Sequence, residues 1–117
     1  MLELLIAFYD RESFIPKGKL AGDAFRGMYY AMLRNRIPFD LVHVGRMEEE
    51  VLSRYKVLIL PNIGALSDDE AENVRKFVQR GGSVISTYET GVYDEWGQQR
   101  TVGVLDDLLG IRHRSPA

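Results

Sequence analysis

Tyr55-Lys56-Val57-Leu58-Ile59-Leu60-Pro61-Asn62 opens the stretch that decides the fold, which continues through Ser67-Asp68-Asp69-Glu70, Gly81-Gly82 and Ser83-Val84-Ile85-Ser86-Thr87-Tyr88 to Trp96. Val57 to Leu60 is an unbroken apolar run closed by a proline, which suits a strand covered on both faces, as in the middle of a parallel sheet. Ser67 and Glu70 stand at capping-box spacing, with Leu66 and Ala71 placed as a hydrophobic staple, so a helix starts there. Its buried stripe is Ala71, Val74, Phe77 and Val78. Gly81-Gly82 stops it, because a glycine just past the last turn enters the left-handed region without a Cβ penalty. Strand, capped helix, glycine stop and second apolar strand make a βαβ unit with a right-handed crossover.

Working outward, Leu4 to Tyr9 is another apolar run, with Leu4, Leu5, Ile6, Ala7 and Phe8 in sequence, and reads as the first strand. The charged segment Asp10 to Lys19, with Pro16 and Gly18, reads as a long loop after that strand's carboxyl end. Leu20, Phe25, Met28, Tyr29, Met32 and Leu33 recur at helical spacing, and core packing explains this Met and aromatic stripe more simply than a cofactor box. Phe39 to Val44 is shorter and more polar, as an edge strand would be. Glu48-Glu49-Glu50 begins a short surface helix and reads as a solvated face. Val102, Leu105, Leu108, Leu109 and Ile111 space as a last helix ending at Gly110, followed by a loose tail. The elements are β1 (4–9), α1 (20–36), β2 (39–44), α2 (48–54), β3 (56–61), α3 (68–80), β4 (83–88) and a C-terminal helix.

This alternation predicts a three-layer, doubly wound α/β fold with a mostly parallel sheet of flavodoxin-like type and four or five strands. A fifth strand is usual in that class, so 1–117 reads as a single domain that is either compact or a piece of a longer polypeptide.

Composition narrows function by exclusion. With 45% hydrophobic and 27% charged residues and a net charge of −2, the 117-residue chain has the make-up of a soluble globular domain, and it carries no basic run that would attract nucleic acid. No apolar stretch approaches a membrane span, and a cytoplasmic location is the default. The chain has no cysteine, which removes thiolate metal sites and cysteine nucleophiles together. No glycine-rich dinucleotide fingerprint or phosphate loop is present, and Leu60-Pro61-Asn62 lacks the aspartate of a phosphoacceptor site. No cofactor is expected.

The loop after β4 holds what chemistry remains: Glu89, Thr90, Gly91, Tyr93, Asp94, Glu95 and Trp96, with Tyr88 beside them. Three carboxylates there, near His43 at the end of a neighbouring strand, suit a hard-metal or acid/base site. The simpler reading is that Glu89 and Asp94 hold the Gly91 turn by accepting backbone N–H bonds while Glu95 is solvated. Thr87 or Thr90 would act as a nucleophile only with a base in hydrogen-bond reach, and His43 and His113 lie on other elements. Tyr93 and Trp96 are read as core edge, sugar platform or subunit contact.

The pattern Tyr55-Lys56-Val57-Leu58-Ile59-Leu60-Pro61, Leu66-Ser67-Asp68, Phe77-Val78-Gln79-Arg80-Gly81-Gly82-Ser83-Val84, Thr90-Gly91-Val92-Tyr93-Asp94-Glu95 and Leu108-Leu109-Gly110-Ile111 resembles the middle, trimerisation domain of glycoside hydrolase family 42 β-galactosidases. That domain belongs to the class I glutamine amidotransferase-like superfamily. The likeness is close over the second half of the chain and holds in outline over the first. It implies an amidotransferase-like fold without catalysis of its own: in that family the glycosidic chemistry belongs to two glutamates on a separate TIM barrel, absent here, and this domain joins subunits. Glu89 stands where the pattern often has a basic residue. The resemblance therefore implies a homo-oligomer or packing against another domain, with no nucleic acid or membrane partner. A small-molecule (sugar or metal) binding or hydrolytic domain using the loop after β4 stays open as the alternative.

Overall fold

In the computed structural model, which describes residues 3–8, 19–87 and 89–111, four strands form one all-parallel sheet in the order β2-β1-β3-β4. The strands are β1 (Leu4–Phe8), β2 (Asp40–His43), β3 (Val57–Pro61) and β4 (Ser83–Thr87). The helices are α1 (Lys19–Arg34), α2 (Glu49–Leu52), α3 (Asp68–Gln79) and α4 (Asp106–Leu109), with a 3₁₀ turn at Val44–Arg46. The doubly wound, mostly parallel α/β architecture expected from the sequence is present. The expected loop from Asp10, the strand-end residues Tyr9 and Tyr88, and the tail beyond Ile111 lie outside the described residues.

Register assigns the side chains to faces. Leu5, Leu58 and Val84 are mutual partners across β1, β3 and β4, and Ala7 pairs with Val42, so all of them point to one side. That side is closed by Leu52 of α2, by Ala71, Val74 and Phe77 of α3, and by Leu105 ahead of α4, all buried in a single core cluster. Ile6, Ile59 and Ile85 align on the opposite side, beneath α1. There Ile59 is 1% exposed while Ile85, one strand further out, is 49% exposed.

Helix α3 starts as its sequence dictates. The Ser67 hydroxyl accepts from the Glu70 N–H at 3.1 Å, and the Glu70 carboxylate accepts from the Ser67 N–H at 3.0 Å. It ends in a Schellman motif, the Gly82 N–H donating to Phe77 O and the Gly81 N–H to Val78 O, with Gly81 at φ 98°. A Cβ on Gly82 would stand 2.5 Å from the Phe77 ring, so the second glycine is required by packing and not by φ.

Two expectations, the end of α1 and the length of the C-terminal helix, are corrected in detail. Helix α1 ends at Arg34 and not Arg36, because Arg36 takes the left-handed conformation (φ 55°) and closes a second Schellman motif through the Ile37 N–H to Met32 O. The C-terminal helix is only Asp106–Leu109: Val102 lies exposed ahead of it, and Gly110 (φ 69°) caps it as expected. The strand β4, although apolar, is a sheet edge whose outer residues are half-exposed. Of the acidic triplet, Glu49 reaches Arg80 at 3.4 Å, which ties α2 to the end of α3. The Tyr55 hydroxyl donates to Asp40 at 2.6 Å, a bond to a carboxylate that raises the phenol pKa above its ordinary value.

Candidate functional site

Ligands of open α/β sheets bind outside the carboxyl ends of the strands, so the candidate loop is in the expected place. There β3 stops at Asn62, which has φ 50° and is buried. Asparagine tolerates this conformation better than most residues. The Asn62 N–H donates to Thr87 Oγ1 at 2.9 Å, its side-chain Oδ1 accepts from the Glu89 N–H at 3.2 Å, and its carbonyl accepts from the Gly64 N–H. One residue thus joins the ends of β3 and β4.

Thr90 is fully buried beside it. Its hydroxyl oxygen accepts from the Ile63 N–H at 3.0 Å and lies 2.9 Å from Thr87 O and 3.1 Å from Leu60 O. The single hydroxyl proton faces two carbonyls, so this group is committed to backbone bonding and not to attack on a substrate. His43 sits on β2, three strands away from Thr87 and Thr90, about 14 Å across the sheet. Its Nδ1 accepts from the Gly45 N–H, and its ring stands edge-on to Phe8. His113 lies outside the described residues.

The rest of the loop is woven into the sheet's end. Gly91 (φ 79°) donates to Ile63 O and accepts from the Val104 N–H, and a Cβ there would come within 3.1 Å of Val104. Tyr93, buried, donates its N–H to Gly64 O and accepts from the Leu66 N–H, which extends the parallel pairing past the strand ends. The Asp94 carboxylate accepts from the Trp96 and Gln98 N–H groups, both at 2.9 Å. It holds a tight turn whose tip is Trp96, 77% exposed. Glu89 and Glu95 are half-exposed flanks of the same turn. Among the described residues no group of three or more His, Cys, Asp or Glu side chains stands close enough to hold a metal ion. No described helix is long and apolar enough to cross a membrane.

Two residues important to this end of the molecule were not singled out from the sequence. Asn62 entered only as the absence of a phosphoacceptor. Arg100, read as part of a turn, donates to Leu66 O at 2.8 Å and to Asp68 at 2.9 Å, anchoring the loop to the first turn of α3. Both act through partners 25 or more residues away, a separation at which local spacing carries no signal.

A family model for the β-galactosidase trimerisation domain matches residues 8–116. The chain is 29% identical over 105 residues to β-galactosidase GanA of Bacillus subtilis, which covers 90% of this chain and 15% of that protein. Against β-galactosidase BgaB of a Geobacillus strain the identity is 34% over 100 residues, 82% of this chain and 14% of the relative. The chain thus spans about a seventh of the length of these relatives. Among solved structures, a β-galactosidase from Bifidobacterium adolescentis superimposes with a TM-score of 0.77 at 23% identity, covering 97% of this chain and 55% of that one. A Bacillus circulans β-galactosidase gives 0.73 at 23% identity, covering 91% and 17%. With the family model running almost end to end, the chain belongs to the β-galactosidase trimerisation domain family.

Proposed function

We propose that this domain serves a longer carbohydrate-active protein as its assembly and packing module, joining subunits and contributing no catalytic group. The observation that carries the reading is the family match over residues 8–116. It is supported by the commitment of Thr90, Asp94 and Gly91 to backbone hydrogen bonds, which leaves the loop after β4 built as a scaffold. In the same proposal Glu89, Thr90, Gly91, Tyr93, Asp94 and Glu95 form the framework that presents Trp96 to a neighbouring domain. The flavodoxin-like, amidotransferase-like assignment is supported by the strand order, which matches the first four positions of that class. A cytoplasmic setting accords with a chain free of cysteine.

The test is sedimentation velocity on the 117-residue chain together with calorimetric titration of galactose, lactose and divalent cations. Self-association at micromolar concentration with no heat of ligand binding is the expected result. A chain that stays monomeric and titrates a sugar or a cation overturns it.

A further inference from the structure

Trp96 is the most exposed large apolar side chain among the described residues, at 77% against 54% for Tyr30, the next in order, and it is the only tryptophan in the chain. Its backbone, in contrast, is fixed. The Asp94 carboxylate accepts from the Trp96 and Gln98 N–H groups, the Asp94 N–H donates to Gln98 O, and Gly97 makes the turn at φ 84°. Behind the turn Tyr93 is buried, and Arg100 ties the returning chain to Leu66 O and Asp68. A large ring held out on a backbone that is already ordered loses little further freedom when it is covered, and tryptophan in such a position is a typical anchor of a protein–protein contact.

The charge beside this ring is one-sided. From Ser83 to Leu105 the acids are Glu89, Asp94 and Glu95, and the only base is Arg100. Asp94 is taken up by its two N–H donors, and the Arg100 guanidinium by Leu66 O and Asp68. Glu95, next to Trp96, is half-exposed and has no ion pair among the described residues. An indole face beside an uncompensated carboxylate attracts a guanidinium twice, through the ring quadrupole and through the charge at its edge. An acidic partner would be repelled, and a purely apolar one would strip water from Glu95 without returning a counter-charge.

We infer that the Trp96 turn is a docking point for an arginine-bearing protein surface, in which a guanidinium of the partner stacks on the Trp96 ring and pairs with Glu95. The inference rests on the reading of this domain as a packing module and adds the chemistry of what packs against this end of the sheet.

With a single tryptophan, the indole fluorescence of the 117-residue chain reports on this turn alone. Titration with hexa-arginine is expected to change that emission saturably. Hexa-lysine, of equal charge, is expected to bind about fivefold more weakly, because an ammonium stacks on the ring less well than a guanidinium. Glu95→Gln is expected to weaken hexa-arginine binding about fivefold in the same readout, and Trp96→Ala by a similar factor in calorimetry, whereas Glu50→Gln on α2 leaves it unchanged. Emission that does not respond, that responds equally to both peptides, or that is affected as much by Glu50→Gln as by Glu95→Gln overturns the inference, and self-association of the same chain in sedimentation then leaves the assembly reading standing. A chain that neither associates nor responds overturns both. If Trp96→Ala does not fold, the Glu95→Gln result decides alone.

Discussion

Leu58 and Leu60 point from β3 into a layer made by α2, α3 and the approach to α4, where Leu52, Leu66, Val74, Phe77 and Leu105 are buried and Tyr55, Val78 and Val84 form a partly buried margin. Ile59, between them in sequence, points the other way and is equally buried, yet α1 above it contributes no fully buried residue among those described from Asp23 on. One strand therefore separates a finished core from an unfinished one. The α3 side is held by a capping box, two glycines and the Arg100 anchor, all internal to the chain. The α1 side is held by a string of half-covered aromatics, Phe8, Phe25, Tyr29 and Phe39. The difference teaches that the described elements seal one face of the sheet from water and only half-cover the other.

The largest expected effect breaks the closed side. Leu60→Ala removes a fully buried side chain and is expected to cost about 3 kcal/mol in a urea titration. Trp96→Ala, at the exposed tip of the candidate loop, is expected to stay within about 0.5 kcal/mol in the same titration. Equal losses would mean the loop tip is part of the core.

Next comes the junction of β3 and β4. Thr90→Val keeps the shape but strips the hydroxyl from Ile63 N–H, Leu60 O and Thr87 O, and should cost about 2 kcal/mol with the circular dichroism spectrum preserved. An unchanged melting midpoint would show that the hydroxyl is free for other work.

On the open side, Arg36→Gly relieves a left-handed arginine at the end of α1 and should stabilise the chain by about 1 kcal/mol, a gain that calorimetry would register as a higher melting temperature. A lower one would mean that the Arg36 side chain contributes more than its strain costs.

The smallest effect is electrostatic. The Arg75 guanidinium beside Asp107 holds this carboxyl below its ordinary value, so the charged form is favoured in the folded chain. The contribution is present above the unfolded pKa and is lost as pH falls through the lower folded value, in the window below about pH 4. Asp107→Asn should flatten the acid limb of the stability curve slightly, since the carboxylate is largely exposed. An unaltered acid limb would show the pair to be inert.

The legible parts of the sequence were those whose signal is local. The βαβ unit from Val57 to Thr87 could be read because its apolar runs, its Ser67 and Glu70 cap and its Gly81-Gly82 stop lie close to the positions they control. The end of α1 was misplaced by two residues because arginine rarely takes the left-handed position that glycine marks, and no spacing reveals that Arg36 does. The last helix was drawn too long because Val102 and Leu105 fit helical spacing while belonging to a turn bound to Gly91. In the candidate loop, residue types alone marked a stretch that lies at the carboxyl ends of β3 and β4. The partners that define it, Asn62 below and Arg100 beside it, come from distant parts of the chain and emerge only on folding.

The central claim is that one face of the sheet is sealed by α2, α3 and the approach to α4 while the face under α1 is only half-covered, and hydrogen exchange measured by mass spectrometry tests it most directly. The account predicts that α3 peptides hold their protection longest while α1 peptides spanning Ala24 to Leu33 exchange first. Equal protection in the two helices, or longer protection in α1, would contradict it.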